Sequence, residues 1–330
     1  MDYEIKSFDE TTCADAKALT NALFDPKPGN VLDKILSNPL RRELSAESAG
    51  EIVYQDGRPV AFQAAIIRRL FVGQRSILGI VGSTLCSMSS TSPVLLMQLM
   101  KKTVKSRYGS ELFFANTANV ASMKMNRMLG VKGTGPFTCE QIRFGVIWVP
   151  KLLKRAVPSV GLSRLTTIDA KVFDAFWDKY RATNIGLVSS RSAEELQWAF
   201  GAGIANGKAV MLGHFDNSGA LDGYIVLVST HAGRRWMVMD WIALDNNVRT
   251  LALLIKGAVK YLRKYANGIF MEAIGFPDYA DNILKTVLPF KRKTKNNSFL
   301  WKFDGKTDAI PSESWFFGPY DGDRMCGGDI

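Results

Sequence analysis

The chain has 330 residues, of which 47% are hydrophobic and 22% charged, and its formal net charge is +11. The apolar content excludes intrinsic disorder as the main state, and the length predicts two domains, each with a core of its own. No apolar run reaches the roughly 20 residues that a membrane-spanning helix needs. The N-terminus lacks the layout of a signal peptide and the four cysteines are scattered, which together favour a cytoplasmic protein.

The first half predicts helices, then three strands, and then alternating helices and strands. Apolar residues at helical spacing predict helix over 11 to about 44. Runs rich in Val, Ile and Phe, separated by Gly-containing turns, predict strands over 51–56, 60–72 and 76–85. The remaining elements are a helix within 89–107 capped by Ser92, a strand over 111–116, a helix over 119–131, and a closing strand or hairpin over 135–149.

The second half repeats this order after a basic segment containing two prolines. The composition predicts an N-terminal domain over 1–148, a linker over 149–166 and a C-terminal domain over 167–330. Helices are predicted over 170–180 and 192–200, strands over 208–216, 223–231 and 235–244, a helix over 247–266, a strand over 269–274, and a helix ending at 285–293. The shared order indicates an internal duplication.

The spacing of Asn119, Ser122, Asn126, Gly130 and Val131 resembles the Asn-x-x-Ala-x-x-x-Tyr-x-x-x-Gly-Phe helix of the GCN5-related N-acetyltransferase (GNAT) superfamily. The resemblance covers about 45–150 and, more loosely, 165–305. Segments 196–200 and 315–323 are similar to pieces of tandem GNAT proteins of bacterial envelope and polysaccharide synthesis. The resemblance implies an α/β (α+β) fold of two GNAT-like domains, each with a mixed, mostly antiparallel sheet flanked by helices. It also implies acetyl-CoA or another acyl-CoA as the donor substrate.

The resemblance places donor-binding residues on the third strand and in the loop that follows it. The family's pyrophosphate loop corresponds to 88–93, where its glycines are replaced by Thr91 and Pro93, so fewer backbone N–H groups are within reach of phosphate. The hydroxyls of this loop could supply donors instead, or the loop is a capped helix start without a ligand. The implied donor-binding residues are Gly82, Ser83, Thr84, Cys86, Ser89, Ser90, Thr91 and Asn119. Gly82 suits a β-bulge beside the acyl carbonyl, or a strand packed with small residues.

The implied catalytic residues are Asn126, Asp240 and Glu272. Asn126 stands where the family's Tyr protonates the leaving thiolate, and an amide cannot act as a general acid near neutral pH. Asp240 and Glu272 each lie within an apolar strand. A carboxylate there is either a proton acceptor for an amine or half of a structural ion pair with a Lys or Arg.

Three functions remain open from the sequence. The first is an acyl-CoA-dependent N-acyltransferase acting on an amine of a sugar or cell-envelope precursor. The second is a Fem-type transferase that uses aminoacyl-tRNA, and the third is a non-catalytic GNAT-fold binding protein. Basic residues at 151–164 and 291–295 are solvated, or they bind tRNA or an anionic inner-membrane surface peripherally. His214 and His231 match no zinc-site spacing, so no metal is predicted.

Overall fold

The computed structural model describes residues 2–24, 30–104, 110–115, 120–145, 161–184, 186–230, 233–266, 270–275, 278–287, 291–303, 316 and 319–321. The strands are β1 (Tyr3–Ser7), β2 (Gly50–Gln55), β3 (Arg58–Val72), β4 (Arg75–Ser87), β5 (Leu112–Ala115), β6 (Lys132–Gly145), β7 (Leu162–Leu165), β8 (Leu187–Ser189), β9 (Ala209–Phe215), β10 (Leu221–Thr230), β11 (Arg235–Ala243), β12 (Phe270–Gly275) and β13 (Lys291–Phe303). The α-helices are α1 (Cys13–Leu23), α2 (Val31–Leu36), α3 (Pro39–Glu43), α4 (Pro93–Val104), α5 (Val120–Met128), α6 (Ala170–Thr183), α7 (Ala193–Ala205), α8 (Val248–Tyr265) and α9 (Asp278–Val287).

These strands form one continuous sheet in the order β1-β2-β3-β4-β5-β13-β6-β12-β11-β10-β9-β7, with β8 paired to β3. Among the described strands the pairing is antiparallel except at β4–β5 and β11–β12. Each half therefore has a mixed, mostly antiparallel sheet flanked by helices, which confirms the predicted fold class.

The two halves exchange their last strands at the centre of the sheet. The final strand of the second half, β13, pairs with β5 of the first half, and the final strand of the first half, β6, pairs with β12 of the second. The two exchanged strands also pair with each other. Backbone hydrogen bonds therefore join the halves across the sheet.

The two faces of the sheet carry different layers. Phe62 and Ala64 of β3, together with Tyr224 and Val226 of β10, lie in one core cluster that also contains residues of α1, α2, α6 and α7. The alternate residues of the same strands face the other side, where α4 covers the first half and α8 and α9 cover the second. Alternation along each strand sends every second side chain to the same face of the sheet. The core on the first face contains residues of both halves, so the halves share it.

Four elements differ from the expectations. The strands β1 and β8 were not predicted, and Lys291–Phe303 is a strand where a helix was expected to continue to residue 293. The segment Leu162–Leu165, inside the predicted linker, pairs with β9 at the edge of the sheet. The domain boundaries themselves stay a prediction. No helix among the described residues is long and apolar enough to cross a membrane.

Candidate active site

A β-bulge interrupts β4 in the stretch where the sequence predicts one. Phe62 of β3 pairs with Cys86 and Ala64 pairs with Ser83, so β4 has one more residue here than β3. Thr84 takes up the distortion with a φ of 50°, a backbone conformation that is costly for a β-branched residue. A bulge turns backbone groups out of the ladder, so this segment has N–H and C=O groups that a ligand can reach.

The neighbouring strand leaves β4 just before the bulge. The parallel pairing of β4 with β5 covers only Gly79 to Val81 of β4. Beyond this pairing, Gly82, Thr84 and Leu85 are half-buried, whereas Ser83 is buried. The hydroxyls of Ser83 and Thr84 lie 2.9 Å apart. The site residues predicted on this strand therefore lie beyond the last β4–β5 pair, in a stretch that we call the gap in the β4–β5 pairing.

Cys86 follows the bulge and is buried. Burial raises the pKa of its thiol to about 12. The side chain therefore stays protonated at neutral pH and packs as a small apolar group.

The loop before α4 presents two serines to solvent. Ser89 and Ser90 are exposed, whereas the Thr91 hydroxyl donates a hydrogen bond to the carbonyl of Val60 at 2.9 Å. Ser92 caps the helix, because its hydroxyl accepts a hydrogen bond from Val94 N at 3.2 Å. Thr91 is thus bound to β3, and the free hydroxyls at this helix start are those of the exposed serines.

A cavity of about 550 Å³ lies between α4, the end of α5 and β13. Its lining is mostly apolar and carries two lysines, the full set being Val94, Met97, Gln98, Lys101, Val104, Met128, Leu129 and Lys302. Val94 is 64% exposed and Met128 68% exposed, so apolar side chains stand at its rim. The inner wall, Val104, belongs to the same core cluster as Phe113 of β5.

Asn126 lies on α5 and is buried. Its backbone carbonyl accepts hydrogen bonds from Leu129 and Val131 at 3.0 Å each, which closes the end of that helix. The predicted Asn119 lies outside the described residues.

Asp240 lies in the interior, where it joins an ion pair. Arg191 donates to both of its carboxylate oxygens, at 3.1 and 3.3 Å, and the Tyr224 hydroxyl donates at 2.7 Å. Arg191 also donates to Asp321 at 3.1 Å. Burial raises the pKa of Asp240, the neighbouring Asp321 adds to the rise, and Arg191 opposes it. These surroundings match the ion-pair alternative, and the role of Asp240 as proton acceptor stays a prediction.

A second buried pair extends this group into the first half. Arg68 of β3 lies 3.5 Å from the carboxylate of Glu195, and both side chains are buried. Its guanidinium donates to the carbonyl of Tyr320 and stacks over the ring of that residue at 4.5 Å. We call Arg68, Arg191, Glu195, Asp240, Tyr224, Tyr320 and Asp321 the buried charge cluster. It joins β3, α7, β11 and the segment Pro319–Asp321.

Glu272 is buried in β12, and Arg235 of β11 lies 3.7 Å from its carboxylate. The two strands pair at this level, with Met237 opposite Glu272. The arrangement again fits the ion-pair alternative. Asp240 and Glu272 thus pair with different arginines, Arg191 and Arg235.

Of the buried charge cluster, only Asp240 was selected from the sequence, and Gln63 was missed as well. A signal was present for Gln63 and Arg68, because they are polar residues inside the apolar strand 60–72. The same signal had selected Asp240 and Glu272. Arg191 lies in the loop between β8 and α7, and Tyr320 lies within 315–323, a segment that the sequence singles out only through the family resemblance.

No family model and no curated protein matches the sequence. Solved structures do match. A probable N-acyltransferase from Enterococcus faecalis V583 is 13% identical with a TM-score of 0.62, over 92% of this chain and 72% of that one. Saccharomyces cerevisiae N-myristoyltransferase with bound myristoyl-CoA is 14% identical with a TM-score of 0.60, over 92% and 80%. A tandem GNAT protein from the clavulanic acid biosynthesis pathway is 14% identical with a TM-score of 0.54, over 93% and 100%. These likenesses show that the chain has the GNAT fold.

Proposed function

We propose that the protein is an acyl-CoA-dependent N-acyltransferase whose donor binds in the first half, between α4 and α5. The observation that carries the proposal is the lysine-containing cavity against α4, the helix that follows the bulged strand β4. Its mixed lining suits a ligand that is part apolar and part anionic, as an acyl-CoA is. Structural neighbours include an N-myristoyltransferase with bound myristoyl-CoA, which supports a donor of this class.

The arrangement suits acyl transfer to an amine. The amine nitrogen attacks the thioester carbonyl to form the C–N bond, and the C–S bond breaks. The proton that the nitrogen loses passes through water to the leaving thiolate, which gives the free CoA thiol. Negative charge develops on the carbonyl oxygen, and a backbone N–H released from the ladder at Thr84 can stabilise it. The proposed acceptor is an amine of a sugar or cell-envelope precursor.

Calorimetry with acetyl-CoA and with myristoyl-CoA tests the donor site. Lys101 is exposed at the cavity, and Lys101→Glu is expected to weaken acyl-CoA binding by roughly tenfold because the charge near the phosphates is reversed. Lys260→Glu on α8 is the matched control, since it makes the same charge change on an exposed helix of the other half. Equal weakening in both variants would show a long-range charge effect and not a site.

Absence of acyl-CoA binding to the wild-type protein at millimolar ligand would overturn the proposal. A panel of amino sugars and amine-bearing envelope precursors, followed by release of free CoA thiol, then identifies the acceptor. Salt-dependent binding of tRNA without acyl-CoA binding would instead favour the aminoacyl-tRNA alternative.

A further inference from the structure

Gln63 is a buried polar residue directly opposite the bulge of β4. The register skips from Phe62–Cys86 to Ala64–Ser83, which leaves Gln63 facing the extra residue of β4. Gln63 is only 3% exposed, and its neighbours from Val60 to Ile67 in β3 are all apolar.

The end of the Gln63 side chain lies over Gly82. A Cβ placed on Gly82 would lie 2.8 Å from Cζ of Phe113 and 3.3 Å from Nε2 of Gln63. The carboxamide therefore reaches the point where β5 leaves β4. Phe113 also belongs to the same core cluster as Val104, which lines the cavity between α4 and α5.

The amide oxygen of Gln63 is buried and has no hydrogen-bond partner among the residues that the structure describes. Its cross-strand neighbour, Glu51, cannot supply one, because a carboxylate only accepts hydrogen bonds and pairs here with Lys102 at 3.8 Å. A buried acceptor without a donor destabilises the folded protein, so it persists where something else requires it.

We infer that Gln63 positions the acyl donor, by accepting a hydrogen bond from an amide N–H of the donor where it crosses β4 beside Gly82. This inference rests on the proposed function. A carboxamide carries one acceptor and one donor group, which complements a secondary amide in both directions. The arm that links the nucleotide and the thioester of an acyl-CoA contains such amides. Gln63 then fixes how far the thioester extends toward the bulge at Thr84.

The test is Gln63→Met, which keeps the length of the side chain and removes its polar atoms. If Gln63 positions the donor, KM for acetyl-CoA rises by about 5- to 20-fold, the range expected for one lost hydrogen bond in a buried site. The Tm without ligand stays equal to that of wild type or rises, because an unpartnered buried amide has been removed. The increase in Tm on adding acetyl-CoA becomes smaller.

Gln74→Met is the control, since Gln74 is exposed in the turn between β3 and β4. A purely structural role for Gln63 would lower the Tm of Gln63→Met and leave KM for acetyl-CoA unchanged, and that result would overturn the inference. If wild type binds acetyl-CoA and Gln63→Met binds it equally well, the inference fails and the proposed function stands. If wild type does not bind acetyl-CoA, both fail.

Discussion

Each half of the molecule contains a β-bulge, and the residues around the two bulges differ. In the first half the bulge at Thr84 follows the point where β5 leaves β4. In the second half β11 pairs with β12 only from Arg235 to Met237, and its own bulge follows, since Val226 pairs with Asp240 and Leu227 with Val238. The duplicated order of elements therefore extends to the position of the irregularity.

The side chains around the two bulges differ in size and charge. Beside Thr84 lie Gly82 and Ser83, which are small. Beside the second bulge Asp240 is enclosed by Arg191 and Tyr224, and Asp321 of the C-terminal segment completes the group. One bulge is thus bordered by small, uncharged residues, and the other is filled by a cluster that joins the halves. Four predictions test this comparison.

Replacing the C-terminal aromatic residue of the cluster should have the largest effect. Tyr320 is fully buried, contacts the Phe200 ring at 5.6 Å and donates its hydroxyl to Ser190 O at 2.8 Å. Tyr320→Ala is expected to lower the free energy of unfolding by about 3–5 kcal/mol through the cavity it leaves. Urea denaturation measures this. Tyr265→Ala, at a residue 64% exposed on α8, should change stability by less than about 0.5 kcal/mol.

Matched variants at the two bulges come next. Asp240→Asn leaves Arg191 without a full counter-charge and should cost about 3 kcal/mol of stability. Thr84→Ala removes a half-buried hydroxyl and should cost less than about 1 kcal/mol. Equal losses would contradict the difference between the bulges. A stable Asp240→Asn protein without transferase activity would instead support Asp240 as the proton acceptor.

Glu195 makes the stability of the cluster depend on pH. Burial raises the pKa of Glu195 from 4.5 to about 7, with Arg68 opposing the rise. The folded state therefore holds this proton more tightly than the unfolded state. The stabilisation of the folded state by protonated Glu195 is full below pH 4.5 and is lost as the pH rises to about 7. The difference in unfolding free energy between wild type and Glu195→Gln should fall by about 2–3 kcal/mol across this window. Parallel pH curves for the two proteins would contradict the assignment.

The sequence predicted the fold better than it predicted the cluster. Local periodicity revealed the duplicated order of helices and strands, because each element's apolar pattern is set by its own residues. The position of β13 between β5 and β6 could not be predicted in this way. Strand exchange depends on contacts between distant segments, and the polar run at the start of β13 gives no period-2 signal.

The sequence predicted some of the buried charged residues but not the partners with which they pair. Asp240 was selected because a carboxylate inside an apolar strand needs a partner, but its partner Arg191 comes from a loop 49 residues away. Pairing of this kind is a property of the folded chain. The bulge at Thr84 was predicted from the neighbouring Gly82 through the family resemblance, and the register shift lies in that stretch.

A smaller effect on stability than at the buried charge cluster is expected from filling the space beside the bulge at Thr84. In Gly82→Ala the new methyl would lie 2.8 Å from the Phe113 ring and press on Gln63, so the ring must shift. We expect a loss of about 1–2 kcal/mol in unfolding free energy, together with weaker acetyl-CoA binding by calorimetry. Gly161→Ala is the control, because nothing lies within 4 Å of its added Cβ. Acetyl-CoA binding that is unchanged in Gly82→Ala would place the donor away from this gap, and the two bulges would then differ in packing alone.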